Sequence, residues 1–108
     1  MVVVEIERKN GRIASFELSG HADSGPHGHD LVCAAVSALS IGTENAIDEL
    51  CGVQLDCEAG KDGGYLRCIV PGHLDDESER NTQLLLEGMV VSLRAIVREY
   101  GSFIEMRD

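Results

Sequence analysis

The sequence predicts an α+β fold with a single domain over residues 1–108, in which two helices pack on a mostly antiparallel sheet in the order ββαββα. Two hairpin patterns and one long segment with apolar residues at spacings of three and four lead to this prediction. No long linker, repeat or low-complexity tract interrupts the chain. A chain of this length builds one core, so we look for one site.

The first hairpin is predicted over residues 2–7 and 13–19, where apolar and polar side chains alternate. Asn10-Gly11 lies between the two strands, and this dipeptide tolerates the positive φ angles of a type I′ turn. The residues expected to face the core are Val2, Val4, Ile6, Ala14, Phe16 and Leu18.

A loop and then a helix are predicted next. Residues 19–29 contain three glycines and a proline, a composition that disfavours regular structure. Asp30 can accept the unpaired amide hydrogens of a starting helix, so we expect a helix from about Leu31 to Leu50 with Asp30 as its N-cap. Many small residues in this segment would let the helix lie close against another element, which predicts a buried helix.

The second half of the chain repeats the pattern. Strands are predicted over residues 53–58 and 65–70, followed by an amphipathic helix from about Asp75 to near Gly101. Residues 102–106 are expected to add a short final strand. The acidic helix start at residues 75–79 is either a solvated helix N-terminus, which the dipole favours, or a docking point for a basic segment.

The acidic composition excludes some partners. Nineteen acidic against nine basic residues give a formal net charge of −10, which repels phosphate backbones and makes nucleic acid an unsuitable partner. The same charge would attract a basic polypeptide, or it simply keeps the protein in solution.

The four cysteines contain no CxxC pair, and the chain opens with a strand-like segment, so we expect a cytoplasmic protein with reduced thiols. Cys51, Cys57 and Cys68 are interpreted as packing residues. The longest apolar run, Leu31 to Leu39, is too short for a bilayer, which needs about 20 residues.

Cys33 and His21 are the candidate catalytic pair. With Asp30 as N-cap, Cys33 would be the third helical residue, where free amides and the dipole stabilise a thiolate. His21 could fold back beside the sulfur and accept its proton. From the residues alone, Cys33 could also be an inert cysteine that packs in the core. The role of Asp30 is open as well. As an ionised N-cap it would raise the pKa of the Cys33 thiol, and it could instead orient His21.

The segments Ser19-Gly20-His21-Ala22 and 28–39, the latter reading GHDLVCAAVSAL, resemble the signature of the ribosomal-processing cysteine proteases, and the element order is similar over nearly the whole chain. The resemblance implies catalysis by His21 and Cys33, supporting residues Gly20, Asp30 and Ser37, and a homodimer. It also implies that the substrate is a basic ribosomal protein, the twenty-seventh of the large subunit, which loses an N-terminal extension. No metal or organic cofactor is expected.

Two other functions remain open at this stage. His21, His27, His29 and Cys33 offer nitrogen and sulfur ligands of the kind that zinc accepts, although their spacing matches no closed zinc motif. Alternatively, the chain is a non-catalytic acidic dimer that binds a basic ribosomal protein, with Cys33 purely structural.

Overall fold

A computed structural model describes residues 1–20, 27–61 and 64–108, with only the backbone described at residues 27–30. Within these ranges the predicted order ββαββα is confirmed, and the short final strand is present as well. The elements are β1 (Val2–Lys9), β2 (Arg12–Ser19), α1 (His27–Cys51), β3 (Asp56–Ala59), β4 (Tyr65–Ile69), α2 (Asp76–Tyr100) and β5 (Ile104–Arg107).

The five strands form one sheet in the order β3-β4-β2-β1-β5. Every neighbouring pair is antiparallel except β1 and β5, which run parallel. One face of the sheet contributes buried residues to the same core as α1 and α2, whereas alternate residues on the other face, such as Glu5 and Glu7, are exposed. The fold is therefore a two-layer α+β structure, as predicted.

The first hairpin turns at Asn10 and Gly11, whose φ angles are 54° and 78°, as the predicted turn requires. The predicted face of β2 is only partly correct. A bulge makes Ala14 an extra residue, because Glu7 pairs with Ser15 whereas Arg8 pairs with Ile13. The bulge reverses the alternation at this point, so Ile13 enters the core in place of Ala14.

The predicted start of α1 is wrong. The helix begins at His27 rather than Leu31, so Asp30 is its fourth residue and does not cap it. Proline suits the start of a helix because its fixed φ is already helical, and Pro26 stands directly before His27 in the sequence. The composition of the glycine-rich segment therefore concealed the first turn of the helix.

The prediction that α1 is buried holds for one side only. Val32, Val36 and Ile47 are completely or almost completely buried, whereas Leu31 and Ile41 are about half exposed. Helix α1 packs along α2 and against the sheet, and its other side faces outward. Neither helix of the described ranges combines the length and apolarity needed to cross a membrane.

Helix α2 agrees with its prediction. Asp75 is the N-cap and accepts a hydrogen bond of 2.8 Å from the backbone N–H of Ser78, which lowers the pKa of the Asp75 carboxyl. The helix ends at Tyr100, next to Gly101. Its buried side is formed by Thr82, Leu86, Met89, Val90 and Leu93, at helical spacing.

The expectation that all thiols are reduced is wrong for one pair. Cys57 on β3 and Cys68 on β4 form a disulfide, with Cα atoms 4.1 Å apart. The two residues are direct cross-strand partners on the same face of the antiparallel pair, which brings their side chains together. Cys33 and Cys51 are not disulfide-bonded.

An ionic cluster ties the end of the chain to the rest of the fold. The Arg8 guanidinium donates to both carboxylate oxygens of Glu87 on α2, at 2.7 and 2.9 Å, and to both of Asp108, at 2.7 and 3.0 Å. Arg94 also donates to Asp108, at 3.1 Å. The hydrogen bonds from Arg8 lower the pKa of Glu87 and of Asp108 below their ordinary values.

We expect Arg8→Gln to lower the free energy of unfolding by about 1 kcal/mol at pH 7, as for a partly exposed charge network. Because the carboxyl pKa values are lowered in the folded state, this stabilisation is present above their unfolded values of about 4 and is lost as the pH falls through the folded values. Urea denaturation at pH 7 and at acidic pH should show the difference between wild type and variant shrinking toward acid.

Arg12→Gln is the matched control, because Arg12 lies on the same hairpin but forms a looser ion pair with Glu79, at 3.6 Å, and has a side chain that is 68% exposed. Its substitution should change stability little at either pH. A difference for Arg8→Gln that is independent of pH would contradict the assignment to these two carboxylates.

Candidate functional site

A groove of about 180 Å³ lies between the sheet and α1, and Cys33 forms part of its wall. Residues from the end of β2, from α1 and from the β3–β4 hairpin line it. The lining is mainly apolar or small. Its residues are Val2, Leu18, Ser19, Gly20, Cys33, Val36, Ser37, Ile41, Ala59, Gly64, Tyr65 and Leu66. We refer to this feature as the Cys33 groove.

Gly20 occupies a position that other residues do not fit. Its φ angle is +105°, and a Cβ atom there would overlap the carbonyl oxygen of Met1. Its N–H donates a hydrogen bond of 3.1 Å to the carbonyl oxygen of Gly64. The residue thus joins the end of β2 to the β3–β4 hairpin at the rim of the groove, which is a structural reason for glycine directly before His21.

Cys33 and Ser37 lie one helical turn apart on α1 and both line the groove, as their spacing predicts. Cys33 is half-buried and packs against the core, whereas Ser37 is exposed. The predicted placement of Cys33 as the third helical residue is wrong, because α1 begins at His27 and Cys33 is its seventh residue. The unpaired amides of the first turn therefore belong to residues 27–30, not to Cys33.

Tyr65 is among the lining residues of the groove and is hydrogen-bonded to Glu17 of the neighbouring strand β2. The Tyr65 hydroxyl donates to a carboxylate oxygen of Glu17 at 2.8 Å, and this bond raises the pKa of Tyr65. The phenol therefore stays protonated at neutral pH. Glu17 and Tyr65 lie on the face of the β2–β4 pair opposite to Leu18 and Leu66, so this bond holds the phenol on the side of the sheet away from the core.

The other predicted site residues fall partly outside the described structure. His21 lies outside the described residues, as does most of the predicted loop. Asp30, His27 and His29 belong to α1, but their side chains lie outside the description. Among the five residues predicted for the protease site, the structure thus brings Gly20, Cys33 and Ser37 together around one groove.

The described ranges contain one cluster that could hold a metal ion, and it differs from the zinc set considered from the sequence. Glu44 on α1 approaches Cys57 and Cys68, with ligand atoms within 4.8 Å of one another. The two sulfur atoms are joined to each other in the disulfide. A metal could bind there only to the reduced thiols, because the thiolate is the form that coordinates.

The wall contributed by the β3–β4 hairpin was not foreseen from the sequence. Ala59, Gly64, Tyr65 and Leu66 carry no motif, and they lie more than twenty residues after Cys33. Only the pairing of β4 with β2 brings them beside α1. The alternation of residues 65–70 was a signal for a strand, but it did not indicate which strand would be its neighbour.

Comparison with known proteins gives a consistent result. The family model described as "Cysteine protease Prp" matches residues 1–105. The ribosomal processing cysteine protease Prp of Bacillus subtilis (strain 168) is 45% identical over 101 residues, which cover 93% of this chain and 90% of that protein.

Solved structures of the same family share the fold. The crystal structure of the essential ribosomal processing protease Prp from S. aureus in complex with a substrate peptide has a TM-score of 0.85 at 33% identity, covering 99% of this chain and 98% of that one. A second structure of that protease, with a covalently linked product peptide, has a TM-score of 0.83 at 35% identity and the same coverage.

The similarity extends over almost the entire length of this chain and of its relatives, and it includes the elements that form the Cys33 groove. It favours an enzyme over the non-catalytic binding module. The chain belongs to the Prp family of ribosomal-processing cysteine proteases.

Proposed function

We propose that this chain cleaves a peptide bond with Cys33 as nucleophile and His21 as general base. The thiolate attacks the carbonyl carbon, the imidazolium returns its proton to the leaving amine, and water then hydrolyses the thioester. Protons and bonds balance in this sequence without any further cofactor. The observation that carries the proposal is the position of Cys33 in the wall of a groove, in a chain of a cysteine protease family.

The assignment of His21 is supported by its neighbour in the chain. Gly20 lines the Cys33 groove, and His21 is the next residue in the sequence. Cys33 also lies beyond the first turn of α1, where the influence of the helix dipole declines. An imidazole beside the sulfur is therefore the more effective way to stabilise a thiolate here.

Asp30 and Ser37 are proposed as supporting residues. They stand three residues before and four residues after Cys33 on α1, so all three positions share one side of the helix. Because Asp30 does not cap the helix, we assign its carboxylate to orienting His21. Ser37 lines the groove and is exposed, which makes its hydroxyl available to a bound peptide.

The proposed substrate is the twenty-seventh protein of the large ribosomal subunit, which would lose an N-terminal extension in the cytoplasm. The relatives named as ribosomal processing proteases support this choice, as does the S. aureus protease with its bound substrate peptide. The net charge of −10 favours a basic polypeptide partner, and the mainly apolar groove would accept an uncharged side chain next to the cleaved bond.

The first test compares wild type, Cys33→Ala and Cys51→Ala on that ribosomal protein from the same organism, bearing its encoded N-terminus. Mass spectrometry should detect one N-terminal truncation with wild type and Cys51→Ala, and an intact protein with Cys33→Ala. Cys51 is the matched control, because it is on the same helix and is not disulfide-bonded. Turnover by Cys33→Ala would refute the nucleophile, and an intact protein in every sample would refute the substrate.

The second test concerns the base. His21→Ala should lower kcat/KM for a peptide that spans the cleavage site by about 10²- to 10⁴-fold, the usual contribution of general acid–base catalysis. His73→Ala is the control, since His73 is an exposed histidine before α2. Circular dichroism should show both variants folded. A folded His21→Ala protein with wild-type kinetics would contradict the assignment.

We further propose that the protein forms a homodimer through a stripe on α2 made of Leu84, Gly88 and Val91. The three residues share one side of the helix, and Leu84 and Val91 are 72% and 61% exposed. Gly88 has open space around its Cα, which would let a second helix approach closely. A single helix stripe can pair with its own copy around a two-fold axis, as dimers of identical chains require.

Sedimentation of wild type, Leu84→Asp and Leu50→Asp at micromolar concentration tests this surface. We expect a dimer for wild type and Leu50→Asp, and a monomer for Leu84→Asp, because a buried unpaired charge opposes association. Leu50 lies near the end of α1 and is 73% exposed, which matches Leu84 closely. A monomeric wild type, or equal loss of the dimer in both variants, would contradict the stripe.

A further inference from the structure

The Cys57–Cys68 disulfide lies beside the Cys33 groove. Cys57 pairs with Cys68, and two residues along the same strands Ala59 pairs with Leu66. Residues two apart on a strand face the same side, so these are consecutive rungs on one face of the hairpin. Ala59 and Leu66 line the same groove as Cys33, and the disulfide is therefore the rung next to the groove wall.

Strand β3 depends on this link. It has four residues and stands at the edge of the sheet, where β4 is its strand partner. Beyond the strand, the Gly60 N–H donates to the Tyr65 carbonyl oxygen at 2.9 Å. A short edge strand with one partner is easily frayed, and a covalent cross-strand bond restricts that fraying.

The two sulfur atoms differ in access. Cys68 is completely buried, whereas Cys57 is partly exposed. Cys57 is therefore the more accessible residue of the pair. Accessibility of the attacked sulfur is one of the factors that set the rate of thiol–disulfide exchange.

We propose that Cys57 and Cys68 are a reversible redox pair whose oxidation fixes the β3 wall of the groove and strengthens peptide binding. The role in peptide binding rests on the proposed function. The oxidant is a small-molecule disulfide such as oxidised glutathione. The Cys57 thiolate attacks it and releases one glutathione, and the Cys68 thiolate then displaces the second, so two protein thiols are oxidised and one disulfide is reduced to two thiols.

In the cytoplasm, the location that we propose for this protein, the pair would ordinarily be reduced. Reducing compartments keep most protein thiols reduced, so the dithiol would be the form present under ordinary conditions and the disulfide would form when the glutathione pool is oxidised. The change is local, because the link joins two strands that already pair with each other. Oxidation would therefore adjust an existing groove without altering the fold.

The experiment uses Cys33→Ala protein, which removes the proposed nucleophile and any oxidation of it, in glutathione buffers of stepped redox potential. Alkylation followed by mass spectrometry counts thiols. Three cysteines remain in this variant, so we expect a transition from three alkylated thiols to one, and no transition when Cys57→Ser is added. A matched Cys33→Ala/Cys51→Ala protein should still lose two thiols on oxidation.

Hydrogen exchange supplies a readout that does not involve a substrate. The exchange rate of the Gly60 amide should be at least about tenfold lower in the oxidised protein, because the disulfide prevents β3 from fraying. The Val70 amide is the internal control, since it donates to the Ala14 carbonyl oxygen at 2.9 Å, in the contact between β4 and β2. Its exchange should not change.

Binding of a peptide from the N-terminal segment of the ribosomal protein should be about 3- to 10-fold tighter to the oxidised form, as for the ordering of one or two groove side chains. Equal affinity in both forms would overturn the coupling to the groove. Failure to trap a two-thiol transition, or Gly60 exchange independent of redox state, would overturn the redox pair itself.

Two further outcomes would separate a wrong substrate from a wrong assignment of the cysteine pair. A peptide that binds neither form, together with the expected thiol and exchange transitions, would reject the proposed substrate and leave the redox pair supported. Zinc bound at one ion per reduced chain, and lost with Cys57→Ser, would assign the two sulfurs and Glu44 to a metal site and would overturn the redox pair.

Discussion

The antiparallel pairing of β2 with β4 is the interaction on which the site depends. Residues 15–19 pair with residues 65–69, so the end of the first hairpin and the start of the β4 strand lie side by side. Gly20 extends the contact by donating to the Gly64 carbonyl oxygen. Without this pairing, Gly64, Tyr65 and Leu66 would not lie beside the end of β2, and the groove would lack the wall that the hairpin contributes.

The long α1 helix changes how the thiol can be activated. Had the helix begun at Leu31, the amides of its first turn would have surrounded Cys33 and stabilised its anion. It begins at His27, and those amides lie a turn earlier. Activation of Cys33, the proposed nucleophile, would therefore depend on neighbouring side chains, which is why we assign roles to His21, Asp30 and Ser37.

The β3–β4 hairpin has two roles that the same register explains. Because side chains alternate along a strand, Cys57 and Ala59 share a face, as do Leu66 and Cys68. The pair Ala59 and Leu66 lines the groove, and the next pair, Cys57 and Cys68, is covalently linked. The edge strand of the sheet thereby places the disulfide next to the residues that we propose to contact the peptide. Elsewhere, the charged cluster around Arg8 stabilises the opposite edge, far along the sheet from this hairpin.

Elements with local signals could be predicted from the chain alone. Asn10-Gly11 specified a turn because both residues adopt positive φ, Asp75 specified the start of α2 because its side chain accepts the Ser78 amide, and the segment around Cys33 carried the family signature. Features that depend on distant partners became visible only in the folded chain. The pairing and register of the strands set four of these features: the bulge at Ala14, the parallel pairing of β5 with β1, the Cys57–Cys68 disulfide and the hairpin wall of the groove. The alternation of apolar and polar residues along a strand shows which residues share a face. The residues that this face contacts depend on which strand pairs with it and in which register.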